Sequence, residues 1–271
     1  MKTSTRSIAP KRATLSMTRN DANMFTTKTQ IVGSHLHPAV QADTPAPRGG
    51  QLVAPAPATW TYRIGKRVLD VSLALLLLIL LSPLLLLIAV AIKLDDRGPV
   101  FIVQKRVGLG GKVFDFYKFR SMTANVDHVQ AHKAFALKVV RGEITKGPPS
   151  NGGVIKPTSD GRVITRVGRI LRKTSMDELP QLVNVLIGNM SLVGPRPSMD
   201  YELEAYYDWY LPRLSVLPGI TGLAQINGRS SIAFPEIVRW DLKYIENRSL
   251  WQDVVIILKT IPLVISMRDS G

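Results

Sequence analysis

Residues 71–92 read VSLALLLLILLSPLLLLIAVAI, an apolar run interrupted only by Ser72, Ser82 and Pro83. At about 1.5 Å per residue, a straight helix of that length spans roughly 33 Å, enough for a bilayer core of about 30 Å. No soluble core helix needs so unbroken a run, and the segment reads as a membrane helix. Ser82-Pro83 divides it into residues 71–81 and 84–92. Proline removes a helical hydrogen bond and kinks the axis, and each half, about 14–16 Å long, reaches roughly to mid-bilayer. Both flanks are charged, with Arg63, Lys66, Arg67 and Asp70 before and Lys93, Asp95, Asp96 and Arg97 after. Cations at both ends leave the positive-inside rule no direction to choose. Two readings fit: a single crossing that tolerates the proline, and a helix that dips into the bilayer and returns to the same face.

Upstream, residues 1–59 are rich in Thr, Ser, Ala, Pro and Gln and close on a Pro/Ala/Gly stretch over 45–57. They show no apolar period and are expected to be a disordered tail. They also lack the apolar centre of a secretory signal. The chain carries 35 Lys and Arg against 20 Asp and Glu, a net charge of +15. The tail holds seven basic and two acidic residues and the remainder 28 and 18, so the excess runs through the folded part as well. A polyanionic partner follows: nucleic acid, anionic lipid or a phosphorylated substrate. Without cysteine there is no disulfide framework, thiolate nucleophile or zinc-thiolate site.

Downstream, residues 98–271 read as one compact domain, with 60–97 as the membrane segment. Residues 100–107 and 113–120 are strand-like and flank Gly108-Leu109-Gly110-Gly111, a predicted hairpin. Residues 142–161 are loop-like around the Gly-Pro-rich stretch 147–153. From there the pattern is mainly helical.

The densest chemistry lies in residues 161–197, GRVITRVGRILRKTSMDELPQLVNVLIGNMSLVGPRP. Arg162, Arg166, Arg169 and Lys173 recur at helical spacing opposite Val163, Val167, Ile170 and Leu171. Such a basic amphipathic helix suits a membrane interface, a phosphate-bearing ligand or plain solvent. Leu179, Leu182, Val183 and Leu186 mark a second helix with Asp177 and Glu178 at its start. Ser175 and Glu178 match a capping box, although Pro180 argues for a start nearer Asp177. Acids favour helix N-termini on electrostatic grounds alone. Here, however, the acidic pair lies between Arg172-Lys173 and Arg196. Carboxylates can hold Mg²⁺ or attack phosphorus, and guanidinium groups clamp phosphate oxygens, which are the parts phosphoryl transfer needs. The histidines offer no rival site: His35 and His37 lie in the tail, and His128 and His132 have no third ligand nearby.

These motifs together resemble the monotopic phosphoglycosyl transferases, bacterial sugar transferases that start exopolysaccharide, capsule and O-antigen synthesis. The resemblance covers about residues 63–265. It is carried by Lys66-Arg67-x-x-Asp70, Ser82-Pro83, Lys118-Phe119-Arg120-Ser121-Met122 and residues 172–181. It continues through residues 191–197, Pro218-Gly219-Ile220-Thr221-Gly222-Leu223 and Asn227-Gly228-Arg229-Ser230. Ala224 and Val183 depart from the residues usual in that family, away from the proposed chemistry, and the four-helix bundle of larger members is missing.

The resemblance implies an α+β, mostly helical fold. A re-entrant membrane helix hairpin kinked at Ser82 and Pro83 would precede a catalytic domain with a small β-hairpin and interfacial amphipathic helices. It implies transfer of a sugar-1-phosphate from a UDP-sugar to polyprenol phosphate, with release of UMP, on the cytoplasmic face of the inner membrane. Asp177 is implied as nucleophile, Glu178 as the assisting Mg²⁺ ligand, and both as metal ligands. Arg172, Arg196, Pro195, Pro197, Arg120 and Arg229 are implied to line the phosphate and nucleotide site. Arg213, Lys243 and the apolar helix over 251–265 could help seat the domain on lipid, though core packing also explains that helix. The expected partners are UDP-sugar, polyprenol phosphate and the bilayer, with room for a homo-oligomer and no nucleic acid. The alternative, a single-pass anchor carrying a basic nucleic-acid-binding module, finds few aromatics and no helix-turn-helix, RRM or KH signature.

Overall fold

The computed structural model describes residues 59–123, 129–146, 153–154, 164–228 and 232–265. The predicted tail, His128, Arg162, the centre of the Gly-Pro-rich loop and Arg229 lie outside them.

The apolar run forms the middle of a 36-residue helix, α1 (Trp60–Asp95), which the Thr59 hydroxyl caps by accepting from the Tyr62 N–H. It is long and apolar enough to cross a bilayer. Helical structure continues through Pro83, and the Ser82 hydroxyl just before it donates to the Ile79 carbonyl. Leu76, Ile79, Leu80, Leu86, Leu87 and Val90 are exposed around the proline. Each would gain about 1.5–3 kcal/mol from leaving water, so this stretch demands an apolar surrounding.

Both ends of α1 are fastened to the same folded body. Near its start Lys66 pairs with Asp253 at 3.0 Å, and Asp70 accepts from the Leu192 N–H. Near its end Asp95 accepts from the Val167 N–H at 2.8 Å, and Asp96 pairs with Arg120. Ala74 is fully buried at the first attachment, and Ile88 and Ile92 at the second.

The predicted hairpin forms as β1 (Phe101–Val107) and β2 (Val113–Phe119), antiparallel from Phe101 opposite Phe119 to Val107 opposite Val113. Gly110 and Gly111 take positive φ in the connecting turn, a conformation open to glycine at little cost. Helix α2 (Val129–Val140) follows, and then the two-residue strands β3 (Thr145–Lys146) and β4 (Gly153–Val154) pair in parallel inside the segment read as loop. Next come α3 (Arg166–Thr174), a 3₁₀ turn over Met176–Glu178 and α4 (Gln181–Ile187).

Strand β5 (Ser191–Val193) leads through residues 194–197 to β6 (Ser198–Met199), which adds to the free edge of β1. Two 3₁₀ segments, Asp200–Ala205 and Asp208–Ser215, precede β7 (Gly219–Thr221), which pairs in parallel with β5. A Cβ on Gly219 would sit 2.1 Å from the Gly194 nitrogen, so this crossing admits only glycine. The chain then forms α5 (Leu223–Ile226), α6 (Phe234–Asn247) and α7 (Leu250–Ile265). The main core joins α1, β2, α4, β5, α6 and α7 through Ala74, Phe116, Val185, Leu192, Tyr244 and Ile256.

On α3, Gly168, Leu171 and Thr174 are buried, whereas Ile170 of the apolar stripe is 63% exposed. Two expectations are corrected here. The Ser175–Glu178 capping box does not form. Ser175 ends α3 in the left-handed conformation without a side-chain cap bond, and Glu178 is drawn to Arg196 and Lys118 instead. Arg213 does not face lipid, since it is 4% exposed and paired with Asp241. Lys243 is exposed, with its ammonium over the Trp240 ring. Helix α7 buries Asp253 and Ile256 but leaves Trp251, Leu258, Ile261 and Val264 exposed.

Candidate active site

The chain reverses sharply between α3 and α4, and that reversal presents the acidic pair. Asp177 and Glu178 sit in the 3₁₀ turn, and α4 begins only after Pro180, whose ring tolerates a first-turn position. Asp177 is 7% exposed. Across from the turn, β2 contributes Lys118, whose ammonium bridges the pair at 3.1 Å from Asp177 Oδ2 and 2.9 Å from Glu178 Oε1.

Asn184 of α4 holds that strand in register. Its side-chain oxygen accepts from the Tyr117 N–H at 3.1 Å, and its side-chain nitrogen donates to the Asp115 carbonyl at 2.6 Å. A fully buried amide thus satisfies strand-edge groups that another strand would otherwise occupy. Lys118 is thereby tied to the helix that follows the two carboxylates.

Arg196 closes the other side. It projects from residues 194–197 and forks onto Glu178, Nη1 donating to Oε2 at 3.1 Å and Nη2 to Oε1. A two-pronged guanidinium–carboxylate contact fixes orientation as well as charge. Burial alone would raise the Glu178 pKa, but Arg196 and Lys118 outweigh it and hold the carboxyl well below the usual range. Glu178 is therefore ionised at neutral pH. Arg106 of β1 joins the cluster, stacking on Phe116 at 5.1 Å and donating to the Pro197 carbonyl at 3.2 Å.

Of the residues predicted for the site, Asp177, Glu178 and Arg196 are brought together, with Pro195 and Pro197 buried on either side of Arg196. Arg172 lies half-buried in the last turn of α3 and makes no side-chain hydrogen bond or ion pair among the described residues, so its guanidinium is open to a ligand. Arg120 is buried against Asp96 at the end of α1, and among the described residues it makes no bond to either carboxylate. Arg229 lies outside the described residues. Lys118 was read as part of a motif without a role, and Asn184, Arg106 and Arg213 were not singled out for the site. For Lys118 the signal was present, as the one cation in a largely aromatic strand.

Among the described residues no group of three or more acidic or histidine side chains gathers, so no wholly protein-made cation cage exists there. Two adjacent carboxylates do suit Mg²⁺, which commonly takes one or two of them and completes its shell with water and substrate phosphate.

A profile described as bacterial sugar transferase matches residues 61–267. Among curated proteins, the exopolysaccharide production protein ExoY of Sinorhizobium fredii is 41% identical over 210 residues, covering 76% of this chain and 88% of that protein. The UDP-glucose:undecaprenyl-phosphate glucose-1-phosphate transferase of Caulobacter vibrioides is 43% identical over 213 residues, covering 76% and 71%. The undecaprenyl-phosphate galactose phosphotransferase of Salmonella typhimurium is 41% identical over 209 residues, 77% of this chain but only 42% of that longer protein.

Proposed function

This chain belongs to the bacterial sugar transferase family and is an enzyme, and on that footing we propose that it transfers a sugar-1-phosphate from a UDP-sugar to polyprenol phosphate in exopolysaccharide synthesis. The arrangement that carries this reading is the acidic pair of Asp177 and Glu178, spanned by Lys118 and gripped by Arg196. The named activity of the Caulobacter relative supports the choice of donor and acceptor.

The reaction proceeds in two displacements. Asp177 attacks the phosphorus bearing the sugar; a P–O bond forms to its carboxylate, and the bond to UMP breaks with the electron pair leaving on the UMP phosphate. A phosphate oxygen of polyprenol phosphate then attacks the same phosphorus, forming the polyprenol-diphosphate-sugar and freeing the carboxylate. A carboxylate is a weak nucleophile and depends on fixed geometry and neutralised charge. Lys118 orients Asp177, while Arg196 and Arg172 face the donor's phosphates. Mg²⁺ held by Asp177 and Glu178 would neutralise phosphate charge further. Incubating membranes that contain the protein with a panel of labelled nucleotide-sugars tests the assignment. One UDP-sugar should give UMP and a lipid-extractable label, and a panel giving neither would refute it.

Helix α1 is read as re-entrant, with both ends and the catalytic domain on the cytoplasmic face. Its attachment to one folded body at both ends supports this, as does the exposed apolar stretch around Pro83. The exposed Ile170 on basic α3, and Trp251 and Leu258 on α7, support an interfacial seat for those helices. The described residues have no cysteine, so single cysteines at Thr61 and Arg97 report topology cleanly. Both should react with an impermeant thiol reagent from the cytoplasmic side of oriented vesicles. Labelling from opposite sides would establish a crossing helix instead.

A further inference from the structure

Arg213 is a fully buried guanidinium that takes no part in the two displacements, yet one of its four hydrogen bonds reaches the backbone of a site residue. Its Nη1 donates to Tyr206 OH at 2.7 Å and Ser198 Oγ at 3.2 Å. Its Nη2 donates to Asp241 Oδ2 at 2.7 Å and to the backbone carbonyl of Arg196 at 3.2 Å. The rings of Phe234 and Tyr206 flank it at 5.2 and 5.9 Å. Burial pushes the Asp241 carboxyl up to about 6 against the opposing pull of Arg213, so the pair is ionised at neutral pH.

A buried ion pair is a poor device for stability, because desolvating two charges offsets most of their attraction. Its geometry here serves another end. Arg196 lies between Pro195 and Pro197, neither of which has an N–H, and a residue before proline is confined to extended backbone. The remaining freedom of this turn is the tilt of its peptide planes. Arg213 holds the Arg196 carbonyl from the core side, while Arg106 holds the next carbonyl, that of Pro197, from β1. The side chain between those two fixed carbonyls is the one that forks onto Glu178.

We propose that Arg213, anchored by Asp241, is a positioning residue of the transfer site: it fixes the Arg196 backbone so that the Arg196 guanidinium is aimed at Glu178 and the donor's phosphates. The proposal rests on the reading of Arg196 as a phosphate-holding residue.

The test is a double-mutant cycle. Replacing both charges (Arg213→Met with Asp241→Leu) removes the pair without stranding either partner, and such replacements commonly leave stability intact. Arg213→Lys is the companion variant, keeping a charge opposite Asp241 but lacking the planar fork that reaches four acceptors. Each should lower kcat/KM for the nucleotide-sugar about tenfold to a hundredfold in an otherwise native chain, as sub-ångström misplacement does. In an Arg196→Ala background, followed by single-turnover UMP release, the same changes should cost less than about twofold, because residues acting through one another do not add. Equal losses in both backgrounds, or no loss in the native chain, would overturn the strut. If Arg196→Ala alone left kcat/KM unchanged, the phosphate-holding role of Arg196 itself would fall, an outcome read from the single variant and distinct from the cycle.

Discussion

Asp177→Asn is expected to abolish turnover while nucleotide-sugar binding survives. The substitution preserves size, and an amide oxygen can still accept from Lys118 at the 3.1 Å position that Oδ2 occupies. What disappears is the anionic oxygen proposed to attack phosphorus. Removing the nucleophile of a covalent enzyme costs on the order of 10⁴-fold or more, and neighbouring groups do not compensate because they act as one unit. Unchanged thermal unfolding and retained binding of labelled nucleotide-sugar would separate this loss from misfolding. The native chain, given UDP-sugar but no lipid acceptor, should release UMP once per active site. It should also gain the mass of a phosphosugar on the peptide containing Asp177. Release of UMP only in the presence of polyprenol phosphate, with no adduct, would instead favour direct transfer and remove Asp177 from the role of nucleophile.

Arg196→Ala should be the second most damaging change, lowering kcat/KM about 10²- to 10³-fold, the usual scale for losing a preorganised donor to developing charge. It also leaves Glu178 facing Lys118 alone. Because the Arg196 side chain is 42% exposed, the loss of folding stability should stay near ~1–2 kcal/mol rather than the larger figure for a wholly buried pair. Arg196→Lys should recover little, since an ammonium cannot make the two-pronged contact. The pH profile offers a second readout. With Arg196 gone, the Glu178 pKa must climb from its depressed position, so the acid limb of activity should move to higher pH than in the native chain. An unmoved limb would mean that Glu178 is not held ionised by Arg196.

Local signals explain what could be read in advance. The two strand-like runs and the glycines between them predict the hairpin, and the apolar run predicts α1, because strand pairing across a tight turn and helical length depend on neighbours in sequence. The acidic pair between arginines was legible for the same reason. Asn184, by contrast, reaches β2 across some seventy residues, and Arg213 meets Asp241 across 28; no spacing rule brings such partners together. Ile170 shows the same limit, because amphipathic periodicity says which residues share a face, not which face the body covers. Arg213 misled because a cation near apolar sequence was read as a lipid contact, when its partner was an acid one helix away.

The double fastening of α1 means that this protein has no detachable anchor. Ala74 belongs to the interior that holds Phe116 and Tyr244, and Ile88 and Ile92 to a second one that holds Phe119 and Leu171, so the greasy helix is also a wall of the enzyme. Cutting the chain ahead of residue 98 to obtain a water-soluble fragment would strip that wall and expose what it covers. Swapping in an unrelated anchor would restore attachment to lipid without restoring the interior. Extraction with α1 in place, in detergent or a lipid disc, is the form in which the catalytic machinery can be expected to stay whole.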